Sequence, residues 1–245
     1  METSLRVPNP WSGASVFIRE RTVSTMDDAR ELALSGCPEG TVVVAGFQQK
    51  GRGRAPGRSW HSPPWESLMA TVVLDADAFG FPLAQLPLRA AVAACLAVED
   101  TGVLPGIKWP NDLVANEKKL AGILCEMCGP SALVGLGVNC MQKAFPPDLA
   151  DSACSIYQVT GREASPLSLL PRILVRLKDT LDDILWREKL LARLAFRGQR
   201  VRVTLPENSP LEGILQEVDQ QGRLVLQDDA GFLQVLSTGE LRRAS

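Results

Sequence analysis

The sequence predicts an α/β (α+β) domain over residues 1–196, followed by a small all-β module over residues 197–245. Three observations lead there. Short β-branched runs alternate with helix-patterned stretches as far as about Leu194. Beyond Phe196-Arg197-Gly198 only short strand-like runs remain, separated by clusters of Pro, Asp, Asn and Gly. A length of 245 residues accommodates one large domain and such a module, which at about 45–50 residues needs a neighbour to dock on.

In order, Val16-Phe17-Ile18 reads as a first strand. Ser24 or Thr25 offers an N-cap, Asp27 and Asp28 fall in a first turn that favours carboxylates, and the helix runs to about Leu34 before Gly36. Val42 to Phe47 and Leu68 to Leu74 are β-branched or apolar strands. From Gln85 to Val98 the chain is alanine-rich and apolar nearly all round, so this helix is buried. Pro110 cannot sit in mid-sheet, so Lys108 and Asn111-Asp112 flank a break between two strands. Lys118 to Glu126 and Ala132 to Asn139 follow as strands, the second with Gly135 and Gly137 where something packs close. Cys140 to Ser165 is loop-rich. Leu170, Leu174, Leu177, Leu181 and Ile184 recur at three and four, predicting one amphipathic helix to about Leu194. It starts at Ser165-Pro166 or Ser168, with Pro171 tolerable only in its first turn. The module's strands are Val201–Leu205, Leu211–Val218, Leu224–Gln227 and Phe232–Leu236.

Hydrophobic residues make up 45% and charged residues 22%, the balance of an ordinary globular chain. No apolar run reaches the roughly 20 residues of a membrane helix, and Met1 to Gly13 lacks the apolar core of a signal peptide. Six scattered cysteines suit a reducing compartment, so a cytoplasmic location is expected. Cys125 and Cys128 have the spacing of half a zinc site, yet on a strand residues three apart face opposite sides. No protein metal cage is expected. A formal net charge of −2 argues against a general nucleic-acid binder.

Against that near-neutral background, residues 47–60 carry Lys50, Arg52, Arg54 and Arg58, three glycines and no carboxylate. Glycine lets the backbone approach a ligand, and successive amides form an anion-binding concavity. Arginine adds a planar fork matched to phosphate or carboxylate, and Trp60 offers a flat face to a base. By itself such a stretch also fits a solvated loop or a nucleic-acid arm. Other polar segments flank strands of the same domain: Ser24-Thr25, Lys108 to Asp112 with Lys119, and Asn139. Each alone has an ordinary reading as a cap, a turn residue or a solvated charge. No Ser/His/Asp set is present, and the only histidine is His61. Cations and amides without an enzyme nucleophile suit attack by a substrate carboxylate on a nucleotide phosphate. Two anions must then be held together while charge grows on phosphorus.

Five segments in order resemble the motifs of biotin–protein ligases, also called biotin–[acetyl-CoA-carboxylase] ligases. They are Ser24-Thr25; Gln48-Gln49-Lys50-Gly51-Arg52-Gly53-Arg54 with Gly57-Arg58-Ser59-Trp60; Lys108-Trp109-Pro110-Asn111-Asp112; Lys119-Leu120-Ala121-Gly122-Ile123-Leu124; and Gly137-Val138-Asn139. The C-terminal module with Gly239-Glu240-Leu241 also fits. The resemblance implies a catalytic domain like that of class II aminoacyl-tRNA synthetases, with a mixed sheet flanked by helices, and a C-terminal SH3-like barrel. It implies that biotin and ATP, with Mg²⁺, give biotinoyl-AMP, and that a lysine of the biotin carboxyl-carrier domain of a carboxylase then attacks it. It places Ser24, Thr25, Gln48, Gly51, Arg52 and Gly122 at biotin, and Arg54, Arg58 and Lys119 at carboxyl and phosphate. Trp60 and Asn139 fall at adenine, and Lys108, Asn111 and Asp112 at phosphate, ribose and Mg²⁺. Lys119, Arg54 and Lys108 are the expected catalytic residues.

Ala55-Pro56 puts two residues where the family usually has one, which bears on the register of Arg58 and Trp60. Only 23 residues precede Ser24, and a helix-turn-helix module would need two further helices, so no DNA-binding role is expected. A homodimer stays open. A lipoate or octanoate ligase shares the chemistry and is the alternative. A nucleic-acid-binding protein would account for the arginines but not for Lys108 to Asp112 or Asn139.

Overall fold

The computed structural model describes residues 7–54, 57–205 and 209–244; Ala55 and Pro56 lie outside the described residues. The chain runs β1 (Val16–Thr22), α1 (Thr25–Leu34), β2 (Val42–Gln48), β3 (Gly51–Arg52), β4 (Ser59–Trp60), β5 (Ser67–Asp75) and α2 (Leu86–Glu99). It continues through β6 (Gly106–Lys108), β7 (Asp112–Ala115), β8 (Lys118–Cys128), β9 (Ser131–Asn139), α3 (Ile156–Thr160), α4 (Pro166–Leu181) and α5 (Trp186–Leu191). Five strands follow: β10 (Arg200–Thr204), β11 (Leu211–Val218), β12 (Leu224–Gln227), β13 (Leu233–Leu236) and β14 (Glu240–Arg243).

Seven strands form a mixed sheet in the order β1-β2-β5-β9-β8-β7-β6, with β1 and β2 parallel and the other neighbours antiparallel. Side-chain alternation assigns the two faces. Val42, Val44, Ala70, Val72 and Leu74 pack in the core shared with α2 and α4. Val43, Val73 and Leu133 pack against Met26 and Ala29 of α1. The alanine-rich α2 is buried along nearly its whole surface, as its composition requires. Leu68, Leu74, Leu170 and Leu174 are fully buried, each contributing about 1.5–3 kcal/mol.

The helix expected to run to about Leu194 is two helices, α4 and α5, with a break at 182–185. The cause is remote in sequence. Arg89 of α2 donates to the carbonyls of Thr180, Leu181 and Asp183 at 2.8, 3.1 and 3.1 Å, capping the end of α4. Asp183 then turns its carboxylate to the Leu185 amide and Lys189 Nζ. Ile184, expected on the apolar face, is 88% exposed. Because α4 starts after Ser165, Pro171 sits beyond the first turn. The carbonyl deprived of its donor belongs to Leu167, which is not fully buried, so water can serve it. The loop-rich segment after Cys140 contains α3, capped by Ser155.

The C-terminal strands form an antiparallel sheet in the order β13-β12-β11-β10-β14. Its last strand, β14, was not among the expected ones. It lies against β10, with Leu241 opposite Val203. The turn at Asp219–Gly222 docks on the first sheet: Trp109 Nε1 donates to Gly222 O at 3.0 Å, and Gln85 Nε2 to Gln220 O at 2.7 Å. Arg187 adds bonds to Val218 O and Glu217.

Candidate active site

Strand register builds a cleft on the α1 face. Asp112, Gly122, Gly137 and Met69 line up across β7, β8, β9 and β5. Leu124, Gly135, Thr71 and Val43 form the next row. Three glycines therefore remove side chains from the middle of this face. Their space is used, as expected for the pair on β9: a Cβ at 135 would lie 2.9 Å from Met26 Sδ, and one at 137 would lie 2.8 Å from Trp60 Cε2. The result is an open cleft between α1, the β3–β4 ribbon and the sheet.

One end of the cleft is a fixed hydrogen-bonding group. Ser24 caps α1 by accepting from the Met26 amide at 3.3 Å, which sets Thr25 at the helix start facing β2. Thr25 then donates both its amide (2.7 Å) and its hydroxyl (2.9 Å) to Gln48 Oε1. Two donors on one oxygen settle the amide orientation and turn Gln48 Nε2 away from Thr25, toward Gly51. Thr71 Oγ1 donates to Thr25 Oγ1 at 2.9 Å and completes the relay. Thr71 was not anticipated. Its signal in the sequence is a hydroxyl in the middle of an otherwise apolar strand.

The other end is cationic. Lys119 Nζ lies 2.7 Å from Asp112 Oδ1, over Gly122, and 6.0 Å from the centre of the Trp60 ring. Lys108 pairs with Asp112 in the β6–β7 register, on the far side of the break at the cis Trp109-Pro110 bond. Burial pulls the Lys108 ammonium below the usual lysine range, while Asp112 and Glu240 oppose that shift. Asn111 Nδ2 donates to Ile123 O at 2.6 Å, tying the turn to β8. Arg52 reaches Asp27 at 2.7 Å and Glu126 at 3.9 Å, and Glu126 also holds Arg30. Arg54 Nη2 donates to Gly239 O at 2.7 Å, so the ribbon touches the C-terminal sheet.

Ser24, Thr25, Gln48, Arg52, Arg54, Trp60, Asn111, Lys119 and Gly122 thus line one cleft. Asp112 joins it through Lys119, and Lys108 stands behind Asp112. Gly51 pairs with Trp60 within the ribbon. Arg58 points elsewhere, to Glu240 of β14 at 3.0 Å. Asn139 is buried just outside the cleft lining, with Nδ2 on Cys154 O at 3.0 Å and Oδ1 accepting from Ser67. His61 is exposed beside Ser59, 2.6 Å from its hydroxyl. Burial pushes the Cys125 and Cys140 thiols up to about 12, so neither is a thiolate at neutral pH.

A mixed sheet bearing a cleft with a fixed amide at one end and a lysine–aspartate pair at the other belongs to a recognisable class. Residues 18–141 match the biotin/lipoate A/B protein ligase family, and residues 196–241 match the biotin protein ligase C terminal domain. The chain belongs to this family. It is 34% identical over 241 residues to the biotin–[acetyl-CoA-carboxylase] ligase of Mycobacterium tuberculosis, covering 90% of this chain and 86% of that protein. It is also 34% identical over 243 residues to the bifunctional ligase/repressor BirA of Bacillus subtilis, covering 92% of this chain and 73% of that protein. Among solved structures, the biotin protein ligase from Aquifex aeolicus in complex with biotin and ATP superposes with a TM-score of 0.85 at 28% identity, covering 94% of this chain and 99% of that one.

Proposed function

We propose that this chain is an ATP-dependent biotin–protein ligase, which forms biotinoyl-5′-AMP and transfers the biotinoyl group to a lysine of the biotin carboxyl-carrier domain of a carboxylase. The observation that carries this reading is the two-ended cleft. Gln48, oriented by Thr25 and Thr71, offers hydrogen bonds to a polar ring, while Lys119 and Arg54 offer charge to a carboxylate. Biotin has a ureido ring at one end and a carboxylate at the other. The dithiolane of a lipoyl group would leave the Gln48 end unpaired, which disfavours the sibling chemistry.

In this reading Ser24, Thr25, Gln48, Gly51 and Arg52 hold the ring, and Gly122 lets the chain lie against β8. The biotin carboxylate attacks the α-phosphorus of ATP. A P–O bond forms, the bond to the bridging oxygen breaks, and pyrophosphate leaves. Lys119 and Arg54 face the carboxylate and α-phosphate, where negative charge grows, and Lys108 approaches the phosphates from β6. Trp60 and Asn139 serve adenine, and Asn111 the ribose. Mg²⁺ accompanies ATP. Asp112 would help hold that ion beside the phosphates, where its charge would ease the departure of pyrophosphate. The carrier lysine's amine then attacks the acyl carbon and AMP departs. A cytoplasmic location fits this reading, since six unpaired thiols suit a reducing compartment.

Biotin-dependent exchange of labelled pyrophosphate into ATP tests the first half-reaction. Exchange should require biotin and fail with lipoate. Exchange supported by lipoate alone would transfer the chain to the sibling branch.

A further inference from the structure

Arg52 follows Gly51, where a Cβ would lie 3.1 Å from Gln48 Nε2, so it leaves the ribbon at the Gln48 end of the cleft. Its guanidinium is held between two walls. Nη2 donates to Asp27 Oδ1 of α1 at 2.7 Å, and Nη1 faces Glu126 Oε1 of β8 at 3.9 Å. Glu126 accepts on its other oxygen from Arg30 of α1, at 2.5 Å. Arg30 lies three residues after Asp27, on the same side of the helix. The four charges Asp27, Arg52, Glu126 and Arg30 therefore form a ring of alternating sign that spans α1, the ribbon and β8.

Each member is brought there by its own element. The Ser24 cap fixes the start of α1 and with it Asp27 in the first turn. Gly122, Leu124 and Glu126 alternate onto the α1 face of β8, and β7 pairs with β8 only as far as Gly122, which leaves Glu126 beyond its end. The ring does little for folding: its side chains are 26–48% exposed, and ion pairs so open to water add little stability. What it fixes is an arginine. Left alone, that side chain samples many rotamers and loses them when a ligand arrives; held by two carboxylates, it has lost them beforehand. A guanidinium has five N–H donors, so these contacts leave others for a ligand.

We infer that Asp27 and Glu126 are positioning residues, which hold Arg52 across the cleft so that its remaining donors meet the biotin ring already oriented. The inference rests on the ligase reading above, in which Arg52 holds that ring. Asp27 also has an ordinary role, as a carboxylate at the positive end of a helix dipole. Asp28 separates the two roles. It occupies the same first turn but accepts from Thr22 Oγ1 at 2.9 Å, so it serves the dipole without serving the arginine. Glu126 comes from β8, has no part in that dipole, and converges on the same guanidinium.

The test is biotin-dependent pyrophosphate release at saturating ATP and varied biotin, in Asp27→Asn, Glu126→Gln and Asp28→Asn, each alone and in an Arg52→Met background. Asp27→Asn and Glu126→Gln should each raise the KM for biotin by about fivefold, a coupling usual within one salt-bridge network, and leave kcat unchanged. Asp28→Asn should leave both constants unchanged. In the Arg52→Met background neither Asp27→Asn nor Glu126→Gln should lower kcat/KM any further, a comparison that low biotin concentrations allow even where saturation is out of reach. Unchanged KM in both single variants overturns the inference, and so does an equal rise in Asp28→Asn, which would assign the effect to the helix. Losses that persist without Arg52 overturn it as well, since the carboxylates would then act by another route. Absence of biotin-dependent release in the wild type would overturn the ligase reading and this inference with it, an outcome distinct from silent variants.

Discussion

Lys119→Gln separates catalysis from folding. The ammonium it removes makes an ion pair with Asp112 at 2.7 Å, but the Lys119 side chain is 41% exposed. Ion pairs of that kind contribute about 0–1 kcal/mol, so the unfolding midpoint should barely move. The barrier is another matter. A donor aimed at charge that develops only in the transition state typically contributes about 10²–10³ in rate, or about 2.7–4 kcal/mol. The expected kinetic effect thus exceeds the expected stability effect severalfold. Biotin should still bind, since Gln48 and Thr25 sit at the other end of the cleft, while biotinoyl-AMP forms at least about a hundredfold more slowly. The assay is pyrophosphate release in a single turnover at saturating biotin and ATP, with a denaturation curve of the same sample. Near-normal release in Lys119→Gln beside a strongly impaired Lys108→Gln would reverse the roles of the two lysines. Near-normal release in both would refute cationic stabilisation at this end of the cleft.

Three further outcomes are expected. Arg54→Gly removes both a cleft cation and the bond to Gly239 O, so biotinoyl-AMP should escape and label bystander lysines; labelling confined to the carrier lysine at the wild-type rate would exclude Arg54 from retaining it. Gly137→Ala puts a Cβ 2.8 Å from Trp60 Cε2, where ordinary contact begins at 3.4 Å, and displaces the ring. Calorimetry should then show weaker ATP binding and unchanged biotin binding, and unaltered ATP affinity would remove Trp60 from the nucleotide site. Burial holds the folded Lys108 below the lysine range of the unfolded chain, so just below that unfolded value, about 10.4, the unfolded state binds more protons and stability rises with pH. Lys108→Met should flatten that rise in urea titrations between neutral pH and this window, and an unchanged slope would assign it to other groups.

The parts of the fold that were legible in the sequence are those whose cause is local. Helix α2 is apolar all round because it is buried all round, and Pro110 between two strand-like runs leaves little choice but a turn. The break between α4 and α5 was not legible, because Arg89, which caps the end of α4, lies on another helix. The same division runs through the site. The residue types of the arginine stretch, Lys119 and the β9 glycines announce an anion cleft. The carboxylates that partner the arginines come from elsewhere: Asp27 on α1, Glu126 on β8 and Glu240 on β14. Thr71 looks like any strand threonine until the register sets it against Thr25.

The central claim is that the two-ended cleft joins biotin to a protein lysine at the expense of ATP. The direct measurement is transfer of labelled biotin to the apo form of a biotin carboxyl-carrier domain, read by intact mass and by mapping the modified residue. The account predicts a single biotinoyl group on one carrier lysine, dependent on ATP and abolished when that lysine is replaced by arginine. A carrier that stays unmodified while the protein consumes ATP and biotin, or one that accepts lipoate in place of biotin, would contradict it.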